Sequence, residues 1–235
     1  MEDMINYLSE IRKRLIVCIF TFIMGTIIAF VFVDRVVDFL KAPAENLILI
    51  YVSPPEALLA NIRIAAICGA TLAMPMVIYQ FIAFLYPALY PSERKLVIPM
   101  ITLSLLLFAL GISFAYYIVY PFVIGFFLEF ARKDLLPYFT ISSYLSFISN
   151  TIFSFGLIFQ LPCIFWFLGK IRILKAGFLR KHRKYAVLII LIISAIITPP
   201  DVLSQILLSV PLFILYEIGI LFVVVSQWGN KKNDK

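Results

Sequence analysis

Two carboxylates, Glu10 and Glu93, stand at the edges of long apolar runs, each in a segment otherwise rich in cations: Glu10-Ile11-Arg12-Lys13-Arg14 and Ser92-Glu93-Arg94-Lys95. A pair of acids facing one polar mouth suits a ligand with two guanidinium groups, because Arg offers each carboxylate a planar fork and Lys does not. The spacing also permits plainer roles. Glu10 can pair with Arg14 one helical turn later, in the favourable order. Glu93 can sit in a first helical turn behind Ser92, stabilised by the helix dipole. A second polar set lies toward the C-terminus, where Asp201 and Gln205 flank the turn Thr198-Pro199-Pro200-Asp201 and Glu217 falls well inside an apolar run. Such groups within a membrane mark ion paths or partner sites by default. The alternative is mutual pairing, or bonds to Thr198 and Ser204.

Bond-making chemistry is poorly supplied. His182 is the only histidine, set among Arg180, Lys181, Arg183 and Lys184, so no histidine metal site or Ser–His couple can be assembled within one chain. The sequence has no G-x-S-x-G, H-E-x-x-H or G-x-x-x-x-G-K-[ST] pattern, so neither a hydrolase nor an ATPase is indicated. No enzyme, cofactor or metal is expected. Cys18, Cys68 and Cys163 fall one to an apolar run; without paired spacing they read as small buried hydrophobes.

The elements that must position these groups are helices in lipid. The chain of 235 residues is 63% hydrophobic and only 14% charged, with a mean hydropathy of +1.04, a balance that a soluble surface does not tolerate. Lipid leaves no water to satisfy an open backbone, so the apolar runs at 15–33, 62–85, 96–119, 145–168, 185–198 and 205–225 read as six transmembrane helices. The reading is an all-α integral membrane protein with kinked, concave packing, in a single membrane domain, 1–235. The fifth run, Tyr185 to Ile197, yields only roughly 20 Å of helix against a hydrocarbon core of roughly 30 Å. The fifth and sixth helices are therefore expected to form a short hairpin that thins the bilayer beside it.

Six spans place both termini on one side. With the N-terminus cytoplasmic, fifteen of the Lys and Arg residues fall on the inside and five, Arg35, Lys41, Arg63, Arg132 and Lys133, on the outside. That asymmetry satisfies the positive-inside rule and accounts for the net charge of +7 without a nucleic-acid partner. Glu2, Asp3 and Glu10 occupy what would be the basic region of a secretory signal, so the first span is expected to remain as an anchor.

Local signals refine the plan. Val33, Val36, Val37 and Leu40 share one helical face, with Asp34, Arg35, Asp38 and Lys41 on the other, which predicts an amphipathic helix on the outer surface. Pro43 should end it. Ser53-Pro54-Pro55-Glu56 has the form of a capping box with Pro at the first helical position. Pro75, Pro99, Pro121, Pro162 and Pro211 should each bend a helix. In the fourth span Ser143, Ser146, Ser149, Asn150, Ser154 and Gln160 fall within an arc of roughly 140°. That face is expected to line an interior, either as interhelical glue or as a ligand surface.

Four stretches together resemble a family: Leu8-Ser9-Glu10-Ile11-Arg12-Lys13-Arg14-Leu15, Pro87-Ala88-Leu89-Tyr90-Pro91-Ser92-Glu93-Arg94, Phe114-Ala115-Tyr116-Tyr117 and Thr198-Pro199-Pro200-Asp201-Val202-Leu203-Ser204-Gln205. They look like the motifs of TatC, the multispanning receptor subunit of the twin-arginine protein translocase. The resemblance spans nearly the whole chain. It implies a receptor in the cytoplasmic membrane that binds signal peptides bearing paired arginines. With single-span TatA-type and TatB-type subunits, other copies of itself and the proton-motive force, it would export folded proteins. By motif, Glu10 and Glu93 would contact the arginines and Arg12 would shape the same patch. Pro43 matches a proline of the first outer loop, and Thr198 and Gln205 fall where partner helices pack. The fourth-span position that is often Glu in the family is Gln160 here, so an acid at that depth is not essential to this chain. The rival class is a small secondary transporter using Gln160, Asp201 and Glu217 as a polar path. It predicts an inverted repeat, and none is visible.

Overall fold

A computed structural model describes residues 2–42, 49–50, 53–90, 93–130, 139–197 and 202–233. Ten α-helices are described: α1 (Glu2–Val31), α2 (Val33–Lys41), α3 (Pro54–Leu85), α4 (Val97–Phe114), α5 (Tyr120–Phe130), α6 (Ile141–Ile158), α7 (Leu161–Lys170), α8 (Ala176–Lys181), α9 (Arg183–Ile197) and α10 (Val202–Asn233). Among the described residues, the strand content is a two-residue parallel pairing of Leu49 with Phe139 and Ile50 with Thr140. Among the described residues, five stretches are long and apolar enough to cross a bilayer: Ser9–Val31, Pro55–Leu85, Arg94–Phe126, Ile141–Lys170 and Leu208–Gln227. The chain is an integral membrane protein. Its large apolar side chains face outward along the helices, as with Phe20, Ile98 and Ile196 at 63%, 76% and 78% exposure.

The helix starts and breaks follow the sequence. Ser53 is extended before α3, and its backbone N–H donates to the Glu56 carboxylate at 3.4 Å, with the prolines in the first turn. Between α4 and α5 the helix widens into a π-helical segment, Ala115–Val119. Pro121 follows directly, and a proline removes a donor and crowds the carbonyl four residues back, so the turn before it opens. The fourth span breaks at Phe159-Gln160, with Pro162 in the first turn of α7.

Two compact units divide the chain: residues 1–101 with 136–149, and residues 102–135 with 150–235. In the first, α1 packs along α3 through glycines. A Cβ on Gly69 would lie 2.5 Å from the Thr26 backbone nitrogen, and one on Gly25 would lie 2.9 Å from the Gly69 carbonyl oxygen. α2 is amphipathic as predicted, burying Val33, Val37 and Leu40, and the Tyr144 hydroxyl on α6 donates to the Leu40 carbonyl at 3.3 Å. The helix ends at Lys41; Pro43 lies outside the described residues.

In the second unit α10 packs against α7 and α9. Gly169 and Gly219 sit where a Cβ would meet the Ser226 hydroxyl at 2.4 Å and the Phe165 ring at 2.6 Å. The fifth helix is short, as its sequence predicts, with 15 residues in α9. The sixth is not. α10 runs for 32 residues as one helix through Pro211 and on to Asn233, because the apolar run continues past the hairpin and the following polar residues extend the helix. The third helical stretch also exceeds its predicted end at Val119, since the π segment bridges α4 to α5 instead of terminating the span.

Candidate functional site

Glu10 lies on α1, its side chain 37% exposed, and pairs with Arg14 one turn on. The Arg14 Nε donates to Glu10 Oε1 at 3.2 Å, and its Nη2 makes a closer contact to the same oxygen. The other nitrogen, Nη1, reaches the Gln80 backbone carbonyl and side-chain Oε1 on α3, each at 3.4 Å. The local pairing read from the spacing is thus present, together with an anchor on a second helix that spacing could not show. Arg12 and Lys13 are exposed on the same turn.

Glu93 is half-buried after the loop that follows α3. It stands at the N-cap position of the one-turn helix Arg94–Leu96, without a side-chain bond to that helix. Its carboxylate accepts from the Tyr90 backbone N–H at 3.1 Å, while its own N–H donates to the Tyr90 carbonyl at 2.8 Å. Pro87 sits in the one-turn helix Tyr86–Ala88, and the Arg94 guanidinium lies over the Tyr86 ring at 4.9 Å. Glu10 and Glu93 belong to the same compact unit. Among the described residues no hydrogen bond joins them; each carboxylate is held by its own stretch of chain.

In the other unit the polar groups are mostly absorbed by packing. Gln160 is 8% exposed and bridges to α4. Its Oε1 accepts from the Ser104 hydroxyl, and its Nε2 donates to the Ser104 carbonyl at 3.1 Å and to the Gly156 carbonyl at 3.4 Å. This is interhelical glue, and Ser104 was its unread partner. Of the same predicted face, Ser149 in the first unit is buried and turned back onto the Leu145 carbonyl at 2.7 Å, whereas Ser143 in that unit and Asn150 in the second are exposed. Gln205 on α10 donates to the Leu191 carbonyl of α9 at 2.9 Å.

Glu217 has a partner that the sequence reading did not name. The sequence offers mutual pairing, or bonds to Thr198 and Ser204, whereas the carboxylate pairs with Arg183 at 2.6 Å. The register of the hairpin explains this: Arg183 stands 14 residues before the end of α9 and Glu217 15 residues after the start of α10, so an antiparallel pair brings them level. Counting outward from the Pro-Pro turn would have found it. Thr198 and Asp201 lie outside the described residues. The connection between α7 and α9 is tied to α10 as well, by the Tyr216 hydroxyl on the Leu179 carbonyl and by Gln227 Nε2 on the Leu174 carbonyl, both at 2.9 Å. His182 lies against Phe178 with the rings tilted by 33° and their centroids 4.1 Å apart, and its Nδ1 is 2.8 Å from the Phe178 carbonyl oxygen.

Long apolar helices, with partly exposed acids at their polar ends, define a polytopic membrane protein. The comparisons with known proteins make that class specific. The family model described as Sec-independent protein translocase protein (TatC) matches residues 6–211. The TatC protein of Desulforapulum autotrophicum is 37% identical over 233 residues, covering 97% of this chain and 86% of that protein. The TatC protein of Carboxydothermus hydrogenoformans is 38% identical over 227 residues, covering 94% and 93%. A crystal structure of the twin-arginine translocase receptor TatC aligns with a TM-score of 0.87 and 38% identity, covering 94% of this chain and 99% of that one. The chain belongs to the TatC family.

Proposed function

We propose that this protein is the receptor subunit of a twin-arginine translocase, with Glu10 and Glu93 as the groups that receive the paired arginines of a signal peptide. The observation that carries this reading is the placement of both acids in one compact unit, at the polar ends of apolar helices. The Glu10 carboxylate is already geometrically fit to hold a guanidinium, since it holds that of Arg14. Arg12, exposed beside Glu10, shapes the approach to the same patch. A charge-assisted bond at each acid gives affinity, and the planar fork gives the preference for Arg.

The chain then acts by binding, without making or breaking a bond. It works in the cytoplasmic membrane as a single membrane domain with six crossings, α9 being the fifth, and with both termini cytoplasmic, the arrangement that the distribution of Lys and Arg favours. The signal peptide's apolar segment lies along the kinked helices, and single-span TatA-type and TatB-type subunits pack near the α9–α10 hairpin, where Thr198, Asp201 and Gln205 lie. Gln205 is already committed to the Leu191 carbonyl, so it serves partners by fixing the hairpin. Gln160 and Glu217 hold helices together, and Pro43 shapes the outer loop. Folded proteins cross at the expense of the proton-motive force, worth about 2.3 kcal/mol per charge per 100 mV.

Photocross-linking from positions next to Glu93, in native membranes, tests the assignment. A signal peptide carrying Arg-Arg should label, and labelling should fall when it carries Lys-Lys or when Glu10→Ala and Glu93→Ala are introduced together. Equal labelling in every case would remove these acids from the recognition site.

A further inference from the structure

The stretch from Lys170 to Lys184 holds seven cations and no acid. Arg183 is paired with Glu217. Lys175, Arg180, Lys181 and Lys184 are exposed, and among the described residues none of these four pairs with a carboxylate. Beside them α8 buries Ala176 and Leu179, while Phe178 and Tyr185 stand 57% and 53% exposed, as suits aromatic rings at the boundary between lipid and water. From that corner a groove of about 300 Å³ runs between α9 and α10, lined by Val187, Ile190, Leu191, Val210, Phe213 and Ile214. Ser209 also lines it, but its hydroxyl donates to the Ile206 carbonyl at 2.7 Å. The groove therefore takes an apolar occupant. Lys184, Val187 and Leu191 are three and then four residues apart, so they share one face of α9. At about 1.5 Å per residue, the lining begins about 5 Å beyond Lys184 and reaches about 10 Å. A cationic rim thus leads straight into an apolar slot, and both lie in the second compact unit.

We propose that this is a binding site for an anionic phospholipid, its phosphate held by Arg180, Lys181 and Lys184 and one acyl chain laid in the groove. Charge decides for a lipid over a partner's transmembrane helix. The rim carries positive charge that an anionic headgroup neutralises, whereas the apolar face of a helix does not. The long basic side chains reach the headgroup level while their stems stay on the apolar wall. A lipid seated there touches α8, α9 and α10 together, and so clasps the turn before α9 to the helix pair behind it.

The test uses the full chain in phosphatidylcholine nanodiscs containing a small, equal share of either phosphatidylglycerol or phosphatidylcholine with a diazirine on one acyl chain. After illumination, mass spectrometry maps the labelled residues. Phosphatidylglycerol should label 187–191 and 210–214 about tenfold more than phosphatidylcholine, since each basic residue near an anionic headgroup is worth about fivefold. Arg180→Gln, Lys181→Gln and Lys184→Gln together should cut that excess at least fivefold. Lys13→Gln with Lys95→Gln removes exposed cations from the other unit and should leave the excess unchanged. Val210→Trp keeps the rim but fills the groove, and should lower labelling of 187–191 by either lipid, which tests the site if the triple variant fails to fold. Equal labelling by the two lipids would return the groove to a partner helix and overturn the proposal. An excess that survives the triple variant, one that the Lys13 and Lys95 changes remove as well, or groove labelling that Val210→Trp does not move overturns it too.

Discussion

Replacing Gly69 with alanine should force α1 away from α3 and loosen the Glu10 site some distance along the helix. The added Cβ would lie 2.3 Å from Thr26 Oγ1, 2.5 Å from Thr26 N and 2.6 Å from Thr26 Cα. Carbon contacts settle at about 3.5–4.0 Å, and two of these three obstacles are backbone, so the helices must part by about 1 Å. Overpacking of this kind costs about 1–3 kcal/mol. For a chain of this size that corresponds to a fall in Tm of about 2–12 °C. The Arg14 Nη1 bonds to Gln80 already span 3.4 Å, near the limit of a useful bond, so the same opening breaks them while the Glu10–Arg14 pair, internal to α1, survives. Thermal unfolding of the detergent-solubilised protein measures the first effect. Gly125→Ala and Gly177→Ala are the controls, since a Cβ at either meets nothing within 4 Å, and alanine there should leave Tm unchanged or raise it slightly. A Gly69→Ala protein as stable as these controls would refute the close-crossing argument.

Other outcomes follow from the same contacts. Gln160→Glu should lower stability more than Gln160→Met in a thermal-shift assay, because it places a carboxylate where the side chain now donates to the Ser104 and Gly156 carbonyls, and each unpaired buried acceptor costs about 1–3 kcal/mol. Exchanging the charges at Arg183 and Glu217 should recover part of the loss seen in either single reversal. The coupling in a double-mutant cycle should be no more than about 1 kcal/mol, since both side chains, 49% and 32% exposed, are screened. Glu56→Ala should cost about 0.5–1.5 kcal/mol in thermal unfolding by removing the carboxylate that accepts from the Ser53 backbone N–H at the start of α3. In a protein with Cys18, Cys68 and Cys163 replaced, an impermeant thiol reagent should label single cysteines at Lys175 and Arg180 only from the side opposite to that which labels Arg35 and Asp38; labelling from one side would sink the assigned orientation.

The sequence by itself determined the lipid environment, most helix positions and the residue types at the site, because these rest on local chemistry. Apolar length, Pro-directed breaks, the Ser53–Glu56 cap and the i, i+4 pairing of Glu10 with Arg14 each need only neighbours within a few residues. The family was legible too, from four short motifs, before any geometry. What only the tertiary structure decided were the partners across helices: Gln80 for Arg14, Ser104 for Gln160, Leu191 for Gln205 and Arg183 for Glu217. The tie of α10 to the segment before α9, from Gln227 to the Leu174 carbonyl, is of the same kind. A side chain's hydrogen-bonding capacity is written in its type, but which of several groups fills it depends on helix register and on how closely glycines let two backbones approach. Those are properties of the packed pair, and neither strand of sequence carries them alone.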